Sequence, residues 1–502
     1  MRLMSERNAS KDNAGQDVAS QDNASQDAAS QDVERFGYRQ ELKRSLSFWD
    51  LLIYGLIFMV PIAPFGIFGS VFNVSGGMVA LAYAVGAVGM VFTAISYAQM
   101  SKAFPLAGSV YAYAGRGIAP PFGFIAGWQI LLDYILIPAL LYIISGIAMN
   151  AFVPGIPVVV WVIGFIVLNT VINYFGIELT ARTNRVMLVL ELIVLVIFLV
   201  IGVVALASGK STGDALSPLF DSGTFSVGLI FSAVSLAALS FLGFDAISTL
   251  SEENREAGTQ VARATVLSLL VVAVLFIVQT WVAALLVPDR ERLLTDGDTS
   301  GTAFYDAAEH AGGHWLYVLT AVTTAVAWGF ADALVAQAAT SRLLYSMARD
   351  RQLPGFLAKV HPSHRVPEHA TFVVAAISVA VGIGMTSRAD NGVSLLTTLV
   401  NFGALTAFLL LHVSVIVHYL VRRRSRDYLR HLVVPLCGIA ILGYVVIEAK
   451  VAAQTVGLVW LGIGLVVMAV LLSTGRTPTS QPAGPTAPVA GSDEPIESRE
   501  DA

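Results

Sequence analysis

Polar and apolar residues alternate along this chain on a long scale. Twelve apolar stretches of about the 20 residues that a spanning helix needs occur at 47–70, 77–100, 122–148, 156–175, 186–207, 226–250, 263–287, 315–341, 370–387, 393–420, 432–448 and 454–473. Short polar segments separate them. The pattern predicts an all-α integral membrane protein of twelve transmembrane helices. The ends are different. Residues 1–34 contain "ASQDNASQDAASQDV", a repeated Ser-Gln-Asp-Xaa-Ala unit. It has too few large apolar side chains to offset the entropy of ordering the chain. "TPTSQPAGPTAPVAGSDEPIESRE" at the other end has the same character. The predicted organisation is therefore a disordered tail over 1–34, a twelve-helix domain over 35–475, and a second disordered tail over 476–502.

Charge orients the helices. With the N-terminus inside and an even number of spans, the inner segments from Arg35 to Arg476 carry 21 Lys and Arg. The outer loops carry 5: Lys210, Arg290, Arg292, Arg388 and Lys450. Positive residues gather on the cytoplasmic side, so both termini are expected in the cytoplasm and the protein in the cytoplasmic membrane. The loop between spans 8 and 9, "RDRQLPGFLAKVHP", is basic and fits that side. The outer loop 288–314 carries Asp289, Glu291, Asp296, Asp298, Asp306 and Glu309 and reads as a solvated loop.

Composition narrows the function. The chain is 56% hydrophobic and 13% charged, against about 25% charged in a soluble domain. A net charge of −5 gives no basic surface for nucleic acid. Cys437 is the single cysteine, which excludes an intramolecular disulfide and a multi-cysteine metal or redox centre. No cleavable signal peptide is evident. There is no P-loop, no HExxH and no zinc-spaced histidine pair at membrane depth. No enzyme activity, metal or cofactor is expected.

Two spans carry breaks at one depth. Span 1 meets "PIAPFGIFG", Pro61 to Gly69, about 16 Å after Asp50 at 1.5 Å per residue. Two prolines and two glycines in nine residues oppose a regular helix. In "SFLGFDAISTLSEE", Ser240 to Glu253, Gly243 lies about 13 Å before Glu252. Unwound backbone inside a membrane survives where protein buries it or a cavity receives it. Paired broken helices in corresponding positions point to a transport site. Spans 1 and 6 are five apart, as two inverted five-helix repeats require.

Four acids lie inside spans: Asp133 and Asp332 near mid-depth, Glu191 two turns into span 5, and Asp245 two turns from the inner end of span 6. A carboxylate there costs several kcal/mol, on the order of 3, unless paired, solvated or protonated. Asp245 reads either as a brace for the freed span 6 backbone or as part of a gate. Glu191 reads either as an ion-paired residue near Arg185 or as a carrier of a coupled proton. His412 and His418 in span 10 read as hydrogen-bonded packing residues.

"FTAISYAQMSKAFPLAGSVYAYAGRG" (Phe92 to Gly117), "SFLGFDAISTLSEE" and "SRLLYSMARDRQLP" (Ser341 to Pro354) resemble segments of the amino acid–polyamine–organocation permeases. The likeness covers about 40 to 473. "GWQILLDY" (Gly127 to Tyr134) and "LVNFGALTAF" (Leu399 to Phe408) are most similar to the putrescine-importer branch. The resemblance implies a LeuT-like five-plus-five inverted repeat with broken helices 1 and 6, importing a small amine with protons. It implies a substrate held at Pro64, Phe65 and Gly66 of span 1 and at Ser240, Phe241, Gly243 and Phe244 of span 6. Asp133 and Tyr134 of span 3, Asp332 of span 8 and Asn401 of span 10 would close the pocket. Glu191 stands where relatives carry a proton-coupling lysine, and Asp245 is grouped with it. Span 1 departs from the Gly-Ser-x-Ile-Gly-x-Gly of amino acid transporters, which reads against an α-amino acid carboxylate. Gly66 stands where putrescine importers carry an acid. An amino acid permease of the same fold is the alternative.

Overall fold

The computed structural model describes residues 36, 42–153, 155–255, 259–298, 301–386, 392–449 and 451–473. The tails predicted at 1–34 and 476–502 lie outside the described residues. Apart from an isolated bridge between Leu46 and Asn254, the described regular structure is helical. Ten described helices are long and apolar enough to cross a membrane by themselves. The other two predicted spans hold shorter helices, a broken pair in 47–70 and a 17-residue helix in 156–175.

Span 1 comprises α1 (Phe48–Phe58) and α2 (Pro64–Val74). Then come α3 (Val79–Ala103), the short α4 (Ser109–Gly117), α5 (Pro120–Phe152), α6 (Val158–Tyr174) and α7 (Ile177–Ala207). Span 6 is α8 (Val227–Phe241) followed by a 3-10 helix over Phe244–Leu250. Next are α9 (Thr259–Ala284), two outer helices α10 (Arg290–Asp296) and α11 (Ala303–Gly312), and span 8. Span 8 is α12 (His314–Val326), a π-helical turn over Ala327–Asp332, and α13 (Ala333–Arg349). The described residues end with α14 (Glu368–Thr386), α15 (Gly392–Val415), α16 (Val434–Glu448) and α17 (Val451–Ser473).

Local chemistry sets the two breaks. Ser47 and Asp50 form a reciprocal capping box that starts α1. The helix stops at Phe58, Val60 takes a positive φ of 46°, and Pro64 opens α2. The freed carbonyl of Pro61 accepts a hydrogen bond of 2.9 Å from Nε2 of Gln279 on α9, so the unwound turn is satisfied inside the protein. In span 6 the chain turns at Gly243, with φ +116°. A Cβ there would lie 2.7 Å from Cγ of Phe58 and 2.9 Å from its carbonyl oxygen. Glycine is required twice, by the dihedral and by the close approach. The two breaks therefore touch, and they fall in the first and sixth spans as the inverted repeat demands.

Two expectations are corrected. The outer loop 288–314 is not a plain solvated loop. Ala303, Phe304, Ala307, Ala308 and Ala311 give α11 a buried apolar face, which the six acids mask in the sequence. Phe304 stacks on Phe65 of α2 at 3.9 Å, and Asn73 of α2 donates to the carbonyls of Leu293 and Leu294. Second, α7 begins at Ile177 rather than 186. Its first turns are polar because Glu178 pairs with Lys43 and Arg185 with Asp50. Glu191 consequently sits 14 residues along the helix, about 21 Å from its start.

Candidate functional site

A small cavity of about 20 Å³ lies beside the two breaks. Phe58, Met59 and Val60 of span 1, Ser240 and Leu242 of span 6, and Trp328 and Asp332 of span 8 are among its walls. A cavity of ~20 Å³ has room for about one water, so the site is contracted around its own side chains.

The predicted residues are distributed around it unequally. Ser240 and Asp332 line the cavity. Ser240 also shares a 3.0 Å hydrogen bond with the Tyr83 hydroxyl. Gly66 sits between Ala63 and Ile67, which line the cavity, and a Cβ on it would meet the Trp328 ring at 3.0 Å. Pro64 is the first residue of α2, and the Phe65 ring turns to Phe198 and Phe304 in an aromatic cluster on the outer side. Phe241 packs against Tyr83 and Phe276. Phe244 packs against Tyr97 and Phe408. Neither ring lines the cavity. Asn401 donates to the Ser235 carbonyl of α8 at 3.1 Å.

The acids fall into two kinds. Asp245 is held: Tyr134 donates its hydroxyl to Oδ2 at 2.6 Å, and the Gly243 amide donates to Oδ1 at 3.3 Å. This carboxylate fixes the turn that begins the inner half of span 6. The other three are buried with oxygens that make no hydrogen bond among the described residues: Oδ1 of Asp133, both oxygens of Glu191, and Oδ1 of Asp332. The reading of Glu191 as an ion pair with Arg185 does not hold, because Arg185 binds Asp50 at 2.7 Å.

The inner end of span 6 is clamped. Glu253 pairs with Arg342, with side chains 1% and 4% exposed. Arg349 donates both terminal nitrogens to Glu252, at 2.8 and 2.7 Å. Glu252 also accepts from the Ala107 amide, and the Glu253 carbonyl accepts from the amides of Ser45 and Leu46. Tyr111 donates to Asp350 at 2.5 Å. The inner half of span 6 is thereby joined to span 8, the loop after span 2 and the chain entering span 1.

Several contributors escape a reading of the sequence alone. Gln279 left a trace as a lone amide in an apolar span. The π turn left none. It frees the Gly329 carbonyl, which accepts from Asn169 at 3.2 Å, and it places Asp332 at its inner end. Arg342 and Arg349 looked like positive-inside charges. His412 is a packing residue, as expected: Thr93 and Ser96 bond its two ring nitrogens. His418 packs edge-on against Phe104.

A family model described as amino acid permease matches residues 46–480. The chain is 31% identical over 450 residues to the low-affinity putrescine importer PlaP of Escherichia coli (strain K12), covering 88% of this chain and 97% of that protein. It is 28% identical over 458 residues to the branched-chain amino acid permease BcaP of Bacillus subtilis (strain 168), covering 85% and 93%. A methylthioribose transporter of Bacillus subtilis (strain 168) is 27% identical over 402 residues, covering 75% and 82%.

Proposed function

This chain belongs to the amino acid permease family, within the amino acid–polyamine–organocation superfamily, and on that premise we propose that it imports a small amine, putrescine or a related polyamine, with coupled protons. It is a multi-pass membrane transporter and not an enzyme. The observation that carries the amine reading is the group of buried carboxylates at the breaks. Asp133 and Asp332 each have one oxygen, Oδ1, without a donor among the described residues, and a cation between two carboxylates in a low-dielectric site is stabilised far more than in water.

In this reading Asp133 and Asp332 pair with the substrate ammonium. Ser240, Gly66 and the turns at Pro64–Phe65 and Gly243 shape the pocket as it expands. Tyr134 acts through Asp245, which braces span 6 and moves with it. Phe241, Phe244 and Asn401 position span 6 from outside the cavity. Glu191 takes the coupled proton, since a buried carboxyl without a partner is most cheaply held neutral. Transport then alternates between the present closed inner mouth and one in which the span 6 clamp is released. The excess of Lys and Arg on one side supports a cytoplasmic position for both termini, with residues 35–475 as the transporting domain.

The likeness to a putrescine importer supports the amine. The likeness to a branched-chain amino acid permease supports the alternative, an amino acid held by its carboxylate at the α2 end. Uptake of labelled putrescine into proteoliposomes under an imposed inward proton gradient separates them. Uptake blocked by diamines and indifferent to the twenty amino acids supports the amine. Absence of diamine uptake, with competition by one amino acid class, favours the alternative.

A further inference from the structure

A second, larger recess lies at the inner end of the helices, away from the substrate site. It has a volume of about 540 Å³ and runs between α3 and α9, the second and seventh spans. Its mouth is basic. Lys102 comes from the last turn of α3, Arg263 from the second turn of α9, and Arg430 from the short segment that leads into α16. Among the described residues no acidic side chain lines it. Arg430 has a distant partner in Asp427 at 3.7 Å, outside the lining. The floor is apolar. Ile95 lies seven residues before Lys102, and Leu270 seven residues after Arg263, so both are about 10 Å deeper along their helices. Leu267 and Leu270 are 40% and 44% exposed.

The order of chemistry along this groove is that of one lipid molecule: cationic groups at the level of the inner interface, then a hydrocarbon trough descending beside two helices. Basic pockets between spans on the cytoplasmic side attract anionic headgroups, and exposed leucines at the depth of the trough suit an acyl chain rather than a soluble anion. We infer that this recess is a binding site for an anionic phospholipid of the inner leaflet. Its phosphate lies among Lys102, Arg263 and Arg430, and an acyl chain lies along Ile95, Leu267 and Leu270. The lipid would touch the second, seventh and eleventh spans at once.

The test uses the full chain, delipidated in detergent and titrated with phosphatidylglycerol or phosphatidylcholine, with adducts counted by native mass spectrometry. Phosphatidylglycerol should bind at concentrations at least about tenfold lower than phosphatidylcholine. Each charge removed should weaken it roughly fivefold, so Lys102→Gln/Arg263→Gln removes the preference and Lys102→Arg/Arg263→Lys retains it. If the double variant does not fold, Lys102→Gln alone should cut the preference roughly fivefold. Equal binding of the two lipids by the parent protein, or an undiminished preference in the glutamine variants, overturns the inference. So does displacement of phosphatidylglycerol by inorganic phosphate, which would make the recess a site for a free anion.

Discussion

Replacing Glu253 by Met tests whether the clamp at the inner end of span 6 holds the inner mouth closed. In the closed form the Arg342 and Glu253 side chains are 4% and 1% exposed. Arginine does not lose its proton in proteins. Without Glu253 the guanidinium remains charged and buried, with the Ala338 carbonyl as a hydrogen-bond acceptor at 2.9 Å. Breaking a buried pair on one side costs about 3–5 kcal/mol. That cost applies only while the mouth is closed, because an open mouth returns Arg342 to water. The closed-to-open equilibrium should therefore shift toward open. Even half of the smaller figure, about 1.5 kcal/mol, is roughly a tenfold change. The assay is thiol labelling. Cys437 is the single native cysteine, so Cys437→Ser with Ala338→Cys supplies one reporter a turn deeper than Arg342. Labelling by an impermeant maleimide from the inner side should accelerate at least about tenfold in Glu253→Met. It should fall back toward the parental rate in Glu253→Met/Arg342→Met, where no charge is left buried. An unchanged rate in the single variant, or an equal rise in the double variant, would refute the reasoning.

Other substitutions separate the remaining roles. Gly243→Ala forces a side chain into φ +116° and against Phe58. Strain and overpacking of about 1–3 kcal/mol each should lower the Tm in detergent and abolish transport, and a stable, active variant would contradict the account of the break. Glu191→Gln should eliminate accumulation driven by a proton gradient while sparing substrate counterflow, and retained accumulation would move the proton elsewhere. Asp133→Asn and Asp332→Asn should each raise the KM for amine roughly ten- to a hundredfold, the loss expected for a hydrogen bond to a charged group. An unchanged KM in both would dismiss the ammonium pocket.

The helical architecture was legible because bilayer thickness imposes a length on every apolar run. The breaks were legible because Pro61, Pro64 and Gly243 contradict a continuous helix. Depth was less legible. Glu191 looked shallow because the first turns of α7 are polar, and their charges find partners at Lys43 and Asp50 that lie far away in sequence. Pocket membership was least legible. Phe241 and Phe244 flank Gly243 in sequence, yet the break rotates both rings toward other helices, where Tyr83, Phe276, Tyr97 and Phe408 receive them. The π turn that sets Asp332 is a backbone event for which "AWGFAD" carries no side-chain signature.

The acids after Gly243 acquire a physical role from the way this half of span 6 is held at both ends. Seven residues of 3-10 helix at about 2 Å each make a rod of roughly 14 Å. At the upper end Asp245 is held by Tyr134, one residue from Asp133. At the lower end Glu252 and Glu253 are held by Arg349 and Arg342, both on span 8 below Asp332. The same two helices that carry Asp133 and Asp332, each with one oxygen lacking a hydrogen bond among the described residues, therefore also anchor the two ends of the rod. A cation drawn between Asp133 and Asp332 changes the charge felt at the Tyr134–Asp245 contact, and a shift there tilts the rod against its arginine clamp. Gly243 is the pivot, since its upper neighbour is α8 and its lower neighbour is the rod. If the proposed cation site operates, site and inner mouth would be coupled through these two hydrogen-bonded ends and one hinge, and disrupting either end should uncouple cation binding from opening without moving the carboxylates themselves.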